Sequence, residues 1–211
     1  MTESKDSDDE FCDLEIFFAL SALPIRNKRM HLSHVHHDVF QVTSMLSTNP
    51  IFGGQALATK ITEHLFLTND SVPVSPPFLH FAEIKGVITI MNNSLKIHRI
   101  KVAVAKFKIP HTIVRLNDVS TESLAEPFAI IFPLLLKAEE NKQTLIIHCE
   151  KGISRSASIV IMFLMKSRKM IFSDAFNFVL KLRPQINPNA GFMRQMQEFE
   201  KTLFDRAIIR R

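Results

Sequence analysis

The sequence predicts an α/β fold, a central and mostly parallel sheet flanked by helices. Three observations lead there. From about residue 60 onward, short apolar runs alternate with longer segments of helical spacing. The run 86–91 (Gly-Val-Ile-Thr-Ile-Met) is β-branched, as strands covered on both faces are. A chain of 211 residues, 46% apolar and 22% charged, has material for one such core.

Taken in order, 61–67 reads as a strand ended by Thr68-Asn69-Asp70. Residues 77–85 read as a short helix with proline in its first turn. The strand 86–91 is followed by a turn at Asn92-Asn93. Residues 101–109 alternate weakly and read as a strand or a basic loop, and 112–116 as a further strand. Helical spacing of Leu124, Phe128, Ile131, Leu135 and Ala138 marks 122–140, where Pro127 and Pro133 predict a kink or two pieces. A short strand, 145–147, leads to an apolar helix, 156–169, whose basic end suits the helix dipole. Ser173-Asp174 is the expected cap of the next helix, which stops before Pro184, and 192–205 forms the last.

Lys and Arg number 26 against 21 Asp and Glu, a formal +5. The first 13 residues hold six acids and one lysine, so the rest carries a net +10. A basic body suits an anionic partner, but the bases are scattered apart from Lys96, Arg99, Lys101, Lys106 and Lys108. No nucleic-acid site is expected. No apolar run is long enough to span a membrane, and an acidic start is unlike a secretory signal. The expected location is cytoplasmic or nuclear. Residues 1–57 read as a partly disordered extension, 58–207 as the folded domain, and 208–211 as a short basic tail. The extension holds an apolar stretch at 16–23 and a cluster of His31, His34, His36 and His37, which lacks cysteines and is weak as a zinc site. No metal and no cofactor is expected.

Only Cys12 and Cys149 occur, which excludes a disulfide scaffold and a four-cysteine zinc site. Cys12 lies among acids and has no assigned role. Cys149 ends an apolar strand, and Arg155 opens a helix six residues on. Amides between a strand and a helix N-terminus form a cradle for a tetrahedral oxyanion. Those dipoles and Arg155 favour the thiolate form of the cysteine. Arg155 offers two parallel donors to phosphate oxygens, and Gly152 gives the backbone the freedom to hug the anion. A core cysteine at a strand end would explain Cys149 by itself. It would not explain His148, Gly152, Arg155 and Ser156 at their offsets.

The segment His148-Cys149-Glu150-Lys151-Gly152-Ile153-Ser154-Arg155-Ser156 resembles the HC-x-x-G-x-x-R-S/T signature of cysteine-dependent protein phosphatases, in the G-x-S-R-S form of the dual-specificity members. The resemblance, to a small atypical member, spans about residues 60–205 and includes the RPxxxPNxGFxxQ-like segment at 183–195. It implies a protein-tyrosine-phosphatase-like fold of the dual-specificity type. It implies Cys149 as nucleophile, Arg155 on the phosphoryl oxygens, Ser156 as a donor to the thiolate and His148 as its tuner. The loop Glu150, Lys151, Gly152, Ile153, Ser154 and Arg155 would bind the phosphoryl group. The family's general acid lies upstream of its cysteine on a loop after a strand. Asp118, 31 residues before Cys149, is the one Asp between Asp70 and Asp174.

Glu150 and Lys151 stand where small residues are common, Met193 and Phe163 where Trp and Tyr are common. Region 95–111 looks longer than the family's loop, and Pro133 is unusual. The expected function is hydrolysis of phosphotyrosine and phosphoserine/threonine in phosphorylated protein substrates. Two alternatives stand beside it: the same chemistry on a phosphoinositide or an RNA 5′-phosphate, and a catalytically inactive phosphate-binding scaffold. Substrate identity and oligomeric state are not predicted.

Overall fold

A computed structural model describes residues 57–208 of the chain. The extension, its histidine cluster, Cys12 and residues 209–211 lie outside the described residues. Five strands form one sheet: β1 (Ala58–Thr62), β2 (Leu65–Thr68), β3 (Gly86–Ile90), β4 (His111–Val114) and β5 (Leu145–His148). Their spatial order is β1-β2-β5-β3-β4. β1 is antiparallel to β2, and every other pairing is parallel. The helices are α1 (Pro76–Phe81), α2 (Ser94–Lys106), α3 (Ala125–Glu140), α4 (Arg155–Arg168), α5 (Phe172–Leu182) and α6 (Ala190–Ile208), with a 3₁₀ turn at Val72–Val74.

Every residue of β3 and β5 is buried, because both faces of the sheet are covered. Leu67, Ile88, Ile90, Leu145 and Ile147 pack in the cluster that includes α3, α4, α5 and α6. Phe66, Val87 and Ile146, the alternate positions, pack with α1, α2 and the 3₁₀ turn. Helix α4 is buried from Arg155 through Met165. Phe163 packs against the Phe132 ring, and Met193 lies against the same cluster.

Four element expectations are corrected. The run 61–67 is a hairpin rather than one strand, since Glu63 and His64 turn between β1 and β2 and the Thr62 hydroxyl accepts the His64 N–H. Residues 101–109 are mostly helix: α2 buries Ile97, Ile100 and Val104 at helical spacing, and Asn93, read as a turn, caps it by accepting the Lys96 N–H. Helix α3 runs unbroken. Pro127 sits in its first turn, and Pro133 and Ala129, whose carbonyl loses its partner, are both exposed to water. Helix α5 begins after Ile171 with no side-chain cap; Ser173 and Asp174 lie inside its first turn, and Glu200 accepts the Phe172 N–H.

Because β2, β5, β3 and β4 run parallel, the loops after Thr68, Ile90, Val114 and His148 emerge on one edge of the sheet. Ligands of open α/β sheets bind at such an edge. The start of α6 closes on it from another side. A Cβ on Gly191 would lie 2.0 Å from the carbonyl oxygen of Ser120, two residues beyond Asp118. Gly191→Ala therefore costs about 2 kcal/mol and lowers the melting temperature by several degrees, measured by thermal unfolding; an unchanged melting temperature would refute this close approach.

Candidate active site

Strand β5 is held on both sides, with His148 in register with Thr68 of β2 and Thr89 of β3. Cys149 follows directly and is 1% exposed. The chain then turns tightly into α4. Gly152 has φ 68°, and a Cβ there would stand 2.2 Å from the Thr68 carbonyl oxygen, so only glycine fits. This turn brings the Gly152 N–H to 3.2 Å from Cys149 Sγ. From the first turn of α4, the Ser156 hydroxyl donates to the same sulfur at 3.2 Å.

The turn is braced from outside itself. Arg183, after α5, is buried and donates from Nε to the Gly152 carbonyl (2.8 Å), from Nη2 to the Lys151 carbonyl (3.4 Å) and from Nη1 to Thr59 Oγ1 (3.0 Å). Burial lowers its pKa to about 10, which still leaves it charged at neutral pH. The Asn187 N–H donates to the Ile153 carbonyl at 2.7 Å, and the Asp70 N–H to the Glu150 carbonyl at 3.2 Å.

Above the sulfur is a cavity of about 560 Å³ lined by Cys149, Glu150, Lys151, Ile153, Ser154, Arg155 and Asp118, with 187–190 on its far wall. Arg155 is buried and donates from Nη1 to the Leu116 carbonyl at 3.3 Å. Its Nε has no hydrogen-bond acceptor and lies 3.7 Å from Asp118 Oδ2; its Nη2 lies 3.8 Å from Glu150 Oε2. Asp118 Oδ1 accepts two hydrogen bonds, from Ser154 Oγ (2.6 Å) and Asn189 Nδ2 (2.9 Å). The chemistry such a pocket can perform is capture of a tetrahedral oxyanion against a sulfur nucleophile, with a carboxyl group at its edge.

Beneath the cysteine, His148 Nδ1 lies 3.2 Å from the Cys149 carbonyl oxygen, an acceptor only, so Nδ1 carries the proton. Burial holds the pKa of His148 down at about 3, so its ring is neutral and Nε2 is a bare acceptor. Thr89 Oγ1, 2.6 Å away, donates to it and therefore accepts from His111 Nε2 at 2.7 Å. Burial, then the charge of Lys101, lowers the His111 pKa as well.

All five residues expected to carry the chemistry (Cys149, Asp118, Arg155, Ser156 and His148) meet at this edge. Gly152 contributes its backbone amide, and the other loop residues form the wall. The sequence did not mark Arg183, Thr89, His111 or Asn189 as members of the site. Arg183 and Asn189 lay inside the quoted 183–195 motif, which was the available signal; nothing in local sequence pointed to Thr89 or His111. Among the described residues, no group of three or more His, Cys, Asp or Glu side chains could hold a metal ion.

The family model described as "Dual specificity phosphatase, catalytic domain" matches residues 65–202. Protein 123R of invertebrate iridescent virus 6 is 34% identical over 145 residues, covering 69% of this chain and 93% of that protein. Dual specificity protein phosphatase 14 of Mus musculus is 29% identical over 157 residues, covering 72% of this chain and 73% of its own length. The crystal structure of the human tyrosine phosphatase-like serine/threonine/tyrosine-interacting protein superposes with a TM-score of 0.62 at 27% identity, over 70% of this chain and 97% of that one.

The buried neutral histidine makes stability depend on pH. His148 titrates at about 3 in the folded chain against an ordinary 6.5. Between these values the unfolded chain binds a proton that the folded chain refuses. The contribution is full above the unfolded value and is lost as pH falls, by about 1.4 kcal/mol per pH unit at its steepest. Urea unfolding at pH 7 and pH 5 reads this directly: wild type loses more stability than His148→Asn, and equal losses would contradict a neutral buried ring.

Proposed function

The chain belongs to the dual specificity phosphatase family, and from that premise we propose that it hydrolyses phosphotyrosine and phosphoserine/threonine in proteins through a phosphocysteine on Cys149. The observation that carries the reading is the pair of donors, Gly152 N–H and Ser156 O–H, each 3.2 Å from one buried sulfur that faces the cavity shared with Arg155 and Asp118.

Hydrogen bonds to a sulfur favour its anionic form. Substrate phosphoryl oxygens take the loop amides and the Arg155 guanidinium, whose Nε has no acceptor of its own. The Cys149 thiolate then attacks phosphorus, a P–S bond forms and the P–O bond to the leaving group breaks. Asp118 protonates the departing oxygen. Its Oδ1 already accepts two hydrogen bonds, which leaves Oδ2 to carry that proton. In the second step water attacks phosphorus, Asp118 takes its proton, and the sulfur leaves as a thiolate that receives the Ser156 hydrogen bond. His148, neutral and tied to the Cys149 carbonyl, orients the nucleophile's backbone.

The scaffold reading loses weight because Cys149, Arg155 and Asp118 all face one cavity. A polyanionic lipid or RNA substrate is disfavoured by Glu150 beside Arg155. Wild type is expected to hydrolyse an aryl phosphate and Cys149→Ser to lack detectable turnover; equal rates in the two proteins would sink the assignment. In the same assay Asp118→Asn lowers kcat by roughly 10²–10⁴ with an alkyl-like leaving group. Its deficit shrinks with a leaving group that needs no proton, and an equal deficit with both would remove Asp118 from the acid role.

A further inference from the structure

The pocket holds an anion of its own. Glu150, the residue after the proposed nucleophile, lines the cavity with one carboxylate oxygen 3.8 Å from Arg155 Nη2. An incoming phosphoryl group needs the same guanidinium face. The other carboxylate oxygen is held by Lys96 Nζ at 2.7 Å, the shorter of the two contacts. Lys96 comes from a different element, the first turn of α2, which starts beside the β5 loop because β3 and β5 are neighbours. Its backbone N–H is fixed by the Asn93 cap, and its ammonium is also paired with Asp70 Oδ2 at 2.9 Å. With two carboxylates on it, Lys96 has little charge left to attract a substrate anion.

Resting on the proposed phosphatase reading, we propose that Glu150 is a built-in competitor for Arg155 and that Lys96 is the tether holding it off, so that the pair sets affinity for the phosphoryl group rather than the rate of its transfer. Because Lys96 keeps the Glu150 carboxylate, Arg155 is free to bind an arriving phosphoryl group bidentately. Without the tether, the carboxylate closes on Arg155. Glu150 is thus a specificity residue and Lys96 a positioning residue acting through it. Both side chains are partly exposed, at 40% and 39%, and neither belongs to the apolar core, so replacing either leaves the core intact.

The test is steady-state turnover of p-nitrophenyl phosphate, with inorganic phosphate as competitive inhibitor. Lys96→Met raises KM and the phosphate inhibition constant together by about fivefold, with kcat unchanged. Glu150→Gln lowers both constants, the double variant behaves as Glu150→Gln, and Lys96→Arg restores wild-type constants. A Lys96→Met effect confined to kcat, no effect, or one that persists in the Glu150→Gln background overturns the tether. In the last case Lys96 attracts phosphate directly. Wild-type turnover abolished by Cys149→Ser separates a failure of the tether from a failure of the phosphatase reading.

Discussion

The site depends on how tightly the chain can turn between β5 and α4, and Arg183 is the group that holds that turn closed. A guanidinium buried at 1% exposure requires acceptors for its donors. Two of them are the carbonyls of Lys151 and Gly152. Pulling those carbonyls away from the cavity turns the intervening amides inward, and the Gly152 N–H reaches the sulfur. At Gly152 the turn presses on both Thr68 and Arg183, so no side chain larger than hydrogen fits there. The arginine and the end of β2 together fix the cradle before any ligand arrives, the condition under which backbone dipoles stabilise an anion most.

Charge around the cavity is arranged in opposed pairs. Arg155 stands between Asp118 and Glu150 at 3.7 and 3.8 Å. Glu150 stands between Arg155 and Lys96, and Lys96 between Glu150 and Asp70. The hydrogen bond to Glu150, then that to Asp70, raises the pKa of Lys96, and the hydrogen bond from Lys96 is the first cause that lowers that of Glu150. Beneath the cysteine the arrangement is different, because the His111–Thr89–His148 chain is neutral throughout. Charge is concentrated at the cavity rim and in the buried Arg183 that braces the loop, and the His148 ring beneath the cysteine adds none.

Local sequence carries the center of this site and little of its support. Nine consecutive residues, 148–156, hold the sulfur, the cradle and the arginine, because a strand end, a tight turn and a helix start are contiguous by nature. Asp118 was found through the family pattern, and its loop after β4 follows from parallel strands delivering their loops to one edge. Arg183, Thr89, His111, Asn189 and Lys96 act across long sequence separations, 124 residues for Arg183 and Thr59, and no local period reports such contacts. Helix α2 was misread because exposed Leu95 and Val102 stand among the apolar positions and blur the period of the buried Ile97, Ile100 and Val104 stripe. Helix α3 was expected to kink or to split in two because proline was weighed without knowing which face meets water, and it is one piece.

Covalent transfer to one sulfur is the center of the account. Rapid acid quench of wild type mixed with phosphorus-labelled aryl phosphate, followed by peptide mapping, tests it without reference to the native substrate. A transient label is expected on the peptide containing Cys149, formed no slower than product and lost on turnover. Turnover with no label at any time, or label on another residue, would contradict it.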